Sequence, residues 1–299
     1  MTTSYIKRIE ISKLWGKHNI VWDNLNPDVN ILVGINGSGK STLLKIIYAA
    51  ICRDEKSISN LNFKNARIEN QNNWHNIETI SRKKKKFTEG DINDLNNEIS
   101  EDFKLISGVG YENEFIERYE FISTFDVPTN RSKLKSDESP LMLELRNLIL
   151  QTGTNSFNDY RLSATISPEK AVDVSNRINK LFVRINSLFS NTHKTIEIDA
   201  TNNIVFRTES DTIQLEQLSS GEKQLLLILF KVFLMDEKPY VLLMDEPEIS
   251  LHISWQQSLI ETIRTLNPNC QLIIATHSPS IFGKGWGDKV TFMEKLFVN

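Results

Sequence analysis

The octapeptide Gly34-Ile35-Asn36-Gly37-Ser38-Gly39-Lys40-Ser41 constrains this chain more than any other stretch. A glycine, four residues and then Gly-Lys-Ser lie between an almost wholly apolar run, Val29 to Val33, and a run in which Leu43, Leu44, Ile46, Ile47 and Ala50 recur at helical spacing. A buried strand, a glycine turn and a helix are therefore expected in that order. In such a turn consecutive backbone N–H groups face inward around an anion, and the helix N-terminus adds its positive end. The pattern predicts a phosphate cradle lined by Gly34, Asn36, Gly37, Ser38, Gly39, Lys40, Ser41 and Thr42. Lys40 is expected to reach the β- and γ-phosphates of ATP, and the Ser41 hydroxyl to ligate Mg²⁺.

The bulk of the chain agrees with a folded α/β protein. Of its 299 residues 39% are apolar and 24% charged, enough for a large core and incompatible with disorder throughout. Lys and Arg number 35 against 38 Asp and Glu, a net charge of −3, so there is no bulk attraction to polyanions. The two cysteines, Cys52 and Cys270, are far apart with no ligand-spaced neighbour, so neither a disulfide framework nor a zinc site is expected and the cytoplasm is the expected compartment. The first residues alternate polar and apolar side chains, unlike a secretory leader. No stretch approaches the roughly 18 apolar residues of a membrane span; the most apolar one, Leu225 to Leu234, contains Lys231, so no membrane partner is expected.

Outside the phosphate loop, Ile6 to Ile11 and Asn19 to Trp22 read as strands, as does Tyr119 to Phe125. Residues 53 to 110 are rich in Asn, Ser and Lys and are expected to be loops and irregular pieces. Ser139-Pro140 opens a helix through Leu150, and Ser167-Pro168 opens another carrying the apolar stripe Val172, Ile178, Leu181, Phe182, Ile185 and Leu188. A meander of short strands follows Lys194. Then come a helix from Gly221 to Met235, a buried strand from Tyr240 to Met244, a helix from Ser254 to Leu266 and a buried strand from Leu272 to Ala275, an alternation that implies a parallel sheet.

The strand at Tyr240 ends in Asp245-Glu246, at the edge where parallel sheets bind ligands. Asp245 is expected to hold Mg²⁺, and Glu246 to act as general base toward the attacking water. About one helix and a turn earlier stands Leu218-Ser219-Ser220-Gly221-Glu222-Lys223-Gln224, which resembles the signature sequence of ABC-type ATPases. Read by itself it is a good helix cap. Its distance from Asp245, together with Ala275-Thr276-His277-Ser278-Pro279 after the last buried strand, extends the resemblance over residues 1 to 52 and 205 to 285.

This resemblance implies a P-loop NTPase fold, an ABC-type ATPase head with a mixed sheet plus a helical insertion. It implies that His277 contacts the γ-phosphate. It also implies that Ser219 and Gly221 of one copy close on ATP held by another, so that a homodimer sandwiches two nucleotides. The core would comprise residues 1–52 and 201–299, with 53–200 as an insertion whose helical part spans 139–190. Transporter ATPases carry Gly-Gly-Gln where this chain has Ser220-Gly221-Glu222, and aspartate where it has His252. The Glu246-Pro247-Glu248 and Leu251-His252 pairs instead resemble the RecF-like, SMC-like and overcoming-lysogenisation-defect-like soluble ATPases found in anti-phage defence.

Residues 53–200 are too few and too irregular for a long coiled-coil arm, and the stretch after His277 is too short for a nuclease domain. A separate effector, nuclease or toxin, is therefore the expected partner. The run Arg82, Lys83, Lys84, Lys85, Lys86 reads first as a solvated loop and second as a backbone-binding patch for DNA or RNA, with Trp74 and Phe87 nearby for stacking. A RecF-like repair ATPase and a non-hydrolysing ATP-dependent scaffold are the alternatives. The glutamine that usually joins the two lobes stays open: Gln71, or a residue reached by the strand at Tyr119, could fill that place.

Overall fold

A computed structural model describes residues 5–52, 61–71, 74–80, 102–108, 118–123, 139–151 and 155–298. Along the chain these form strands β1 (Arg8–Leu14), β2 (His18–Trp22) and β3 (Val29–Val33), helix α1 (Lys40–Cys52), and strands β4 (Asn65–Glu69), β5 (Trp74–Ile80), β6 (Asp102–Gly108) and β7 (Tyr119–Ser123). Helices α2 (Pro140–Leu150), α3 (Phe157–Ile166) and α4 (Ala171–Phe189) follow, then strands β8 (Thr195–Ile198), β9 (Ile204–Arg207) and β10 (Thr212–Ile213). The remainder is α5 (Ser220–Leu234), β11 (Tyr240–Asp245), α6 (Ile253–Leu266), β12 (Cys270–Thr276), α7 (Pro279–Phe282), β13 (Val290–Phe292) and β14 (Phe297–Val298).

A parallel sheet ordered β13-β3-β12-β11-β7 carries the phosphate loop, its central strands β3, β12 and β11 buried on both faces as parallel strands usually are. Register places Val33 opposite Thr276, and Asp245 opposite both Ala275 and Ser123, so four strands deliver their C-terminal ends to one edge. Successive side chains point to opposite faces. On one face Leu32, Val241, Leu243 and Ile273 meet α1 and an antiparallel sheet ordered β14-β2-β1-β4-β5-β6. On the other, Ile31, Leu242, Met244 and Ile274 meet α5, whose Leu226 and Phe230 are fully buried, and the helices around it. Each such side chain stabilises the fold by about 1.5–3 kcal/mol relative to exposure.

The expectation of irregular structure over 53–110 is corrected by β4, β5 and β6. On β4 and β5 the buried positions alternate, Ala66 and Ile68 on the one and His75 and Ile77 on the other, so a strand with one polar face reads locally as a polar loop. Strands from within the 53–200 span thus enter both sheets. The helix start expected at Ser167-Pro168 is a short 3₁₀ turn, Pro168–Lys170, without a side-chain cap; α4 begins at Ala171. The strand reading after Asp211 shrinks to Thr212–Ile213. Helix α3 carries no signal beyond its cap, in which Ser156 Oγ accepts from Asp159 N at 3.1 Å. Ser139 caps α2 as expected, accepting from Met142 N at 3.2 Å.

Polar side chains tie these layers. Buried Gln271 satisfies three backbone groups, accepting from Ile6 N and donating to Ile6 O and Asn26 O. Lys231 of α5 bridges Glu120 of β7 and Glu144 of α2 at 2.6 Å each, and despite its burial those carboxylates hold its ammonium above its ordinary pKa. Among the described residues no helix is long and apolar enough to cross a membrane.

Candidate functional site

The turn after β3 bends because Gly37 and Gly39 take the left-handed region, with φ of 76° and 102°. At Gly39 a Cβ would also lie 2.6 Å from the Trp15 ring, which rests against the loop from the β1–β2 turn. Asn36 sits exposed at the tip, and Ser41 and Thr42 are half-buried in the first turn of α1. The Ser38 hydroxyl is buried without a hydrogen-bond partner among the described residues, a donor that an anion's oxygen in the cradle would satisfy.

Lys40 is 4% exposed, and its ammonium donates to Gly34 O at 3.1 Å, to Ile35 O at 3.3 Å and to His277 Nε2 at 2.6 Å. Accepting from an ammonium requires that Nε2 be unprotonated. Burial pulls the Lys40 pKa down, against the pull of Glu246, Asp245, Glu294 and Glu248. The Ser41 hydroxyl donates to Asp245 Oδ1 at 2.9 Å. Burial raises the Asp245 pKa, Ser41 opposes that, and the neighbouring Glu246 adds to it. A hydroxyl and a carboxylate in contact at a strand end are hard oxygen donors of the kind Mg²⁺ takes, so the residues fit that ion.

Glu246 stands next to Asp245 with φ of 49°, a left-handed conformation that costs a non-glycine residue about 1–2 kcal/mol. Its N–H is held by Ala275 O at 2.8 Å, and its Oε1 lies 3.4 Å from His277 Nε2. Lys40, Ser41, Asp245, Glu246 and His277 are therefore brought together.

Ser219 and Gly221 make their contacts elsewhere. Ser219 caps α5 in a capping box with Glu222. A Cβ on Gly221 would collide with the carbonyl oxygen of Ser250, itself at φ 67°, so only glycine lets the signature turn lie on the loop that follows β11. His252 caps α6, accepting from Ser254 N at 3.3 Å. Gln71 lies exposed at the β4–β5 turn in the antiparallel sheet, whereas Ser123 of β7 is paired with Asp245 at the site's level. Trp74 is covered by the Arg67 guanidinium at 4.5 Å. Arg82 to Lys86 and Phe87 lie outside the described residues.

Two contributors carried no functional reading in the sequence. Glu248 Oε1 accepts from Thr276 Oγ1 at 2.6 Å, His277 N at 2.9 Å and Ser278 N at 3.2 Å, and so fixes the loop that bears His277. Trp15, one residue before a glycine in a short turn, gives no local sign that the turn folds over Gly39.

Two solved structures share this arrangement of sheet and loop. An Smc head bound to the C-winged helix domain of ScpA aligns over 93% of this chain and 91% of its own, with TM-score 0.54 and 15% identity. An Smc head with an extended coiled coil, bound to the C-terminal domain of ScpA derived from Pyrococcus furiosus, aligns over 94% and 91%, with TM-score 0.53 and 12% identity. With the loop and its facing acids, they define the fold class as that of a P-loop NTPase. Within that class, the chain belongs to the family described as "AAA domain, putative AbiEii toxin, Type IV TA system", whose model matches residues 29–283.

Two curated relatives carry ATPase names. "Retron Vc95 probable ATPase" of Vibrio cholerae serotype O1 biovar El Tor is 23% identical over 188 residues, 55% of this chain and 36% of that protein. "Retron Ec83 probable ATPase" of Escherichia coli is 24% identical over 185 residues, 52% of this chain and 33% of that protein. The matches thus span about a third of those relatives' length.

Proposed function

We propose that this chain binds Mg²⁺-ATP in the phosphate loop, hydrolyses it, and closes with a second copy around the nucleotide. The convergence of Lys40, Ser41, Asp245, Glu246 and His277 at one sheet edge carries this reading. In it the Lys40 ammonium exchanges Gly34 O, Ile35 O and His277 for phosphate oxygens, which frees the imidazole to face the γ-phosphate. Glu246 takes the proton of the attacking water. Mg²⁺ held by Ser41 and Asp245 supplies neutralisation of phosphate charge when bound. Ser219 and Gly221 present a helix N-terminus to the partner copy's nucleotide.

Residues 1–52 and 201–299 form the nucleotide-binding core in this reading, and 53–200 is an insertion whose strands lengthen the core's sheets. The retron names of the curated relatives support a role in anti-phage defence, in the cytoplasm, with a separate effector gated by the nucleotide state. The test is Glu246→Gln. ATP turnover should fall by about 10²–10⁴-fold, the contribution of a general base, while ATP-bound dimers accumulate in size-exclusion chromatography. Turnover at the parent rate would remove Glu246 from the base role.

A further inference from the structure

The signature turn already holds an anion of its own. Glu222 is 1% exposed, and its Oε2 accepts from both Ser219 N–H at 2.8 Å and the Ser219 hydroxyl at 2.9 Å. The Ser219 oxygen in turn accepts from Glu222 N–H at 3.3 Å. Two donors at the start of α5 that would face an incoming phosphate are therefore spent on a resident carboxylate. A hydroxyl has one proton, so Ser219 cannot give it to Glu222 and to a phosphate oxygen at once. A bare carboxylate in this position would also repel the phosphate, and burial strengthens that repulsion.

One cation answers that charge. Lys194 donates to Glu222 Oε1 at 2.7 Å, its side chain only 20% exposed. It arrives from the insertion rather than from the signature helix. Helix α4 ends in a 3₁₀ turn at Ser190–Thr192, His193 adopts the left-handed region at φ 52°, and the chain enters β8, where Ile196 N donates to Asn186 Oδ1 at 2.8 Å. Burial would raise the Glu222 pKa, yet the pairing with Lys194 and the Ser219 hydrogen bonds leave it below its ordinary value.

We propose that Lys194 is a positioning residue for the signature: by neutralising Glu222 it loosens that carboxylate's hold on the Ser219 proton and lowers the electrostatic barrier to a phosphate docking on α5. This rests on the proposed closure of two copies around ATP. It predicts that the harm of losing Lys194 is caused by Glu222, and is relieved when Glu222 is made neutral without changing its shape.

The experiment measures ATP-induced dimerisation by sedimentation in the Glu246→Gln background, adding Lys194→Met, Lys194→Arg, Glu222→Gln, or Lys194→Met with Glu222→Gln. Lys194→Met should weaken dimerisation by about 30-fold or more, the order expected for a buried charge left alone. Monomer affinity for a fluorescent ATP analogue should stay within twofold, because the phosphate loop is untouched. Lys194→Arg should match the parent, and the double variant should recover to within a few-fold of it. A purely structural role for Lys194 would lower melting temperature and monomer ATP affinity together. Full dimerisation by Lys194→Met, or a double variant no better than Lys194→Met, overturns the proposal. A parent that binds ATP yet stays monomeric overturns the dimer reading, and this proposal with it. Should Lys194→Met not fold, the double variant and Lys194→Arg still decide.

Discussion

In the proposed reading the phosphate loop and the Ser219 turn both present donors to phosphate, and the two are built in opposite ways. At the phosphate loop the groups come from three separate strand ends and satisfy one another: Lys40 with His277, Ser41 with Asp245. At the signature the groups are neighbours on one helix, and Ser219 is satisfied by Glu222 three residues along. The first site depends on the sheet register being right. The second depends on a local cap, a glycine contact and one ion pair reaching in from β8. Assembly by register makes a site robust to changes in any one loop, whereas a local cap can be tuned by a single charge.

Variants can break this contrast, the largest effect first. Lys40→Ala removes the phosphate site's cation and should weaken ATP binding by about 30- to 1000-fold, the range for a buried charged contact, measured by isothermal titration. Gly221→Ala drives a methyl group into the Ser250 backbone and should destabilise the protein by about 1–3 kcal/mol in urea melts. It should also separate the two sites, leaving monomer ATP affinity nearly unchanged while dimerisation fails; equal loss at both sites would erase the distinction.

Asp245→Asn tests the register-built site from the stability side. The Asp245 pKa is raised above its ordinary value, so its ionised form opposes folding. What it contributes to stability is present below its unfolded pKa and is lost as pH rises through the folded value. The variant should therefore melt higher than the parent without nucleotide, by an amount on the order of 1 kcal/mol, and gain less from Mg²⁺-ATP. Glu222 runs the other way. Its depressed pKa gives stability that is present above its ordinary value of 4.5 and lost as pH falls through the folded value. Glu222→Gln should flatten that acid limb, a small change in a plot of melting temperature against pH.

The same contrast explains what the sequence disclosed. The phosphate loop, Asp245, Glu246 and the Ser219 cap were legible because each is a short pattern whose chemistry needs those residues at that spacing. His277 was legible only through its order after Asp245. Strands β4 and β5 were not, since Ala66, Ile68 and Ile77 bury alternate positions of otherwise polar segments. Trp15 and Lys194 were silent, and Glu248 was read only as part of a family motif, for a different reason. Each acts on a segment distant in the chain, Trp15 on Gly39, Glu248 on the His277 loop, Lys194 on Glu222, and no local pattern encodes a tertiary contact.

The position of β3 sets an order of events during synthesis. Its hydrogen-bonding neighbours are β12 and β13, and Asn30 bonds the carbonyl of Leu272 across 242 residues of chain. Among the described residues, the strand that aims the phosphate loop finds its pairing partners only in β12 and β13, so it waits for segments made long after it. Contacts of such sequence separation fold slowly and leave an apolar strand unpaired meanwhile. A nascent chain of this protein thus cannot complete its nucleotide site before β12 has emerged, and chains truncated before β12 should require chaperones to stay in solution.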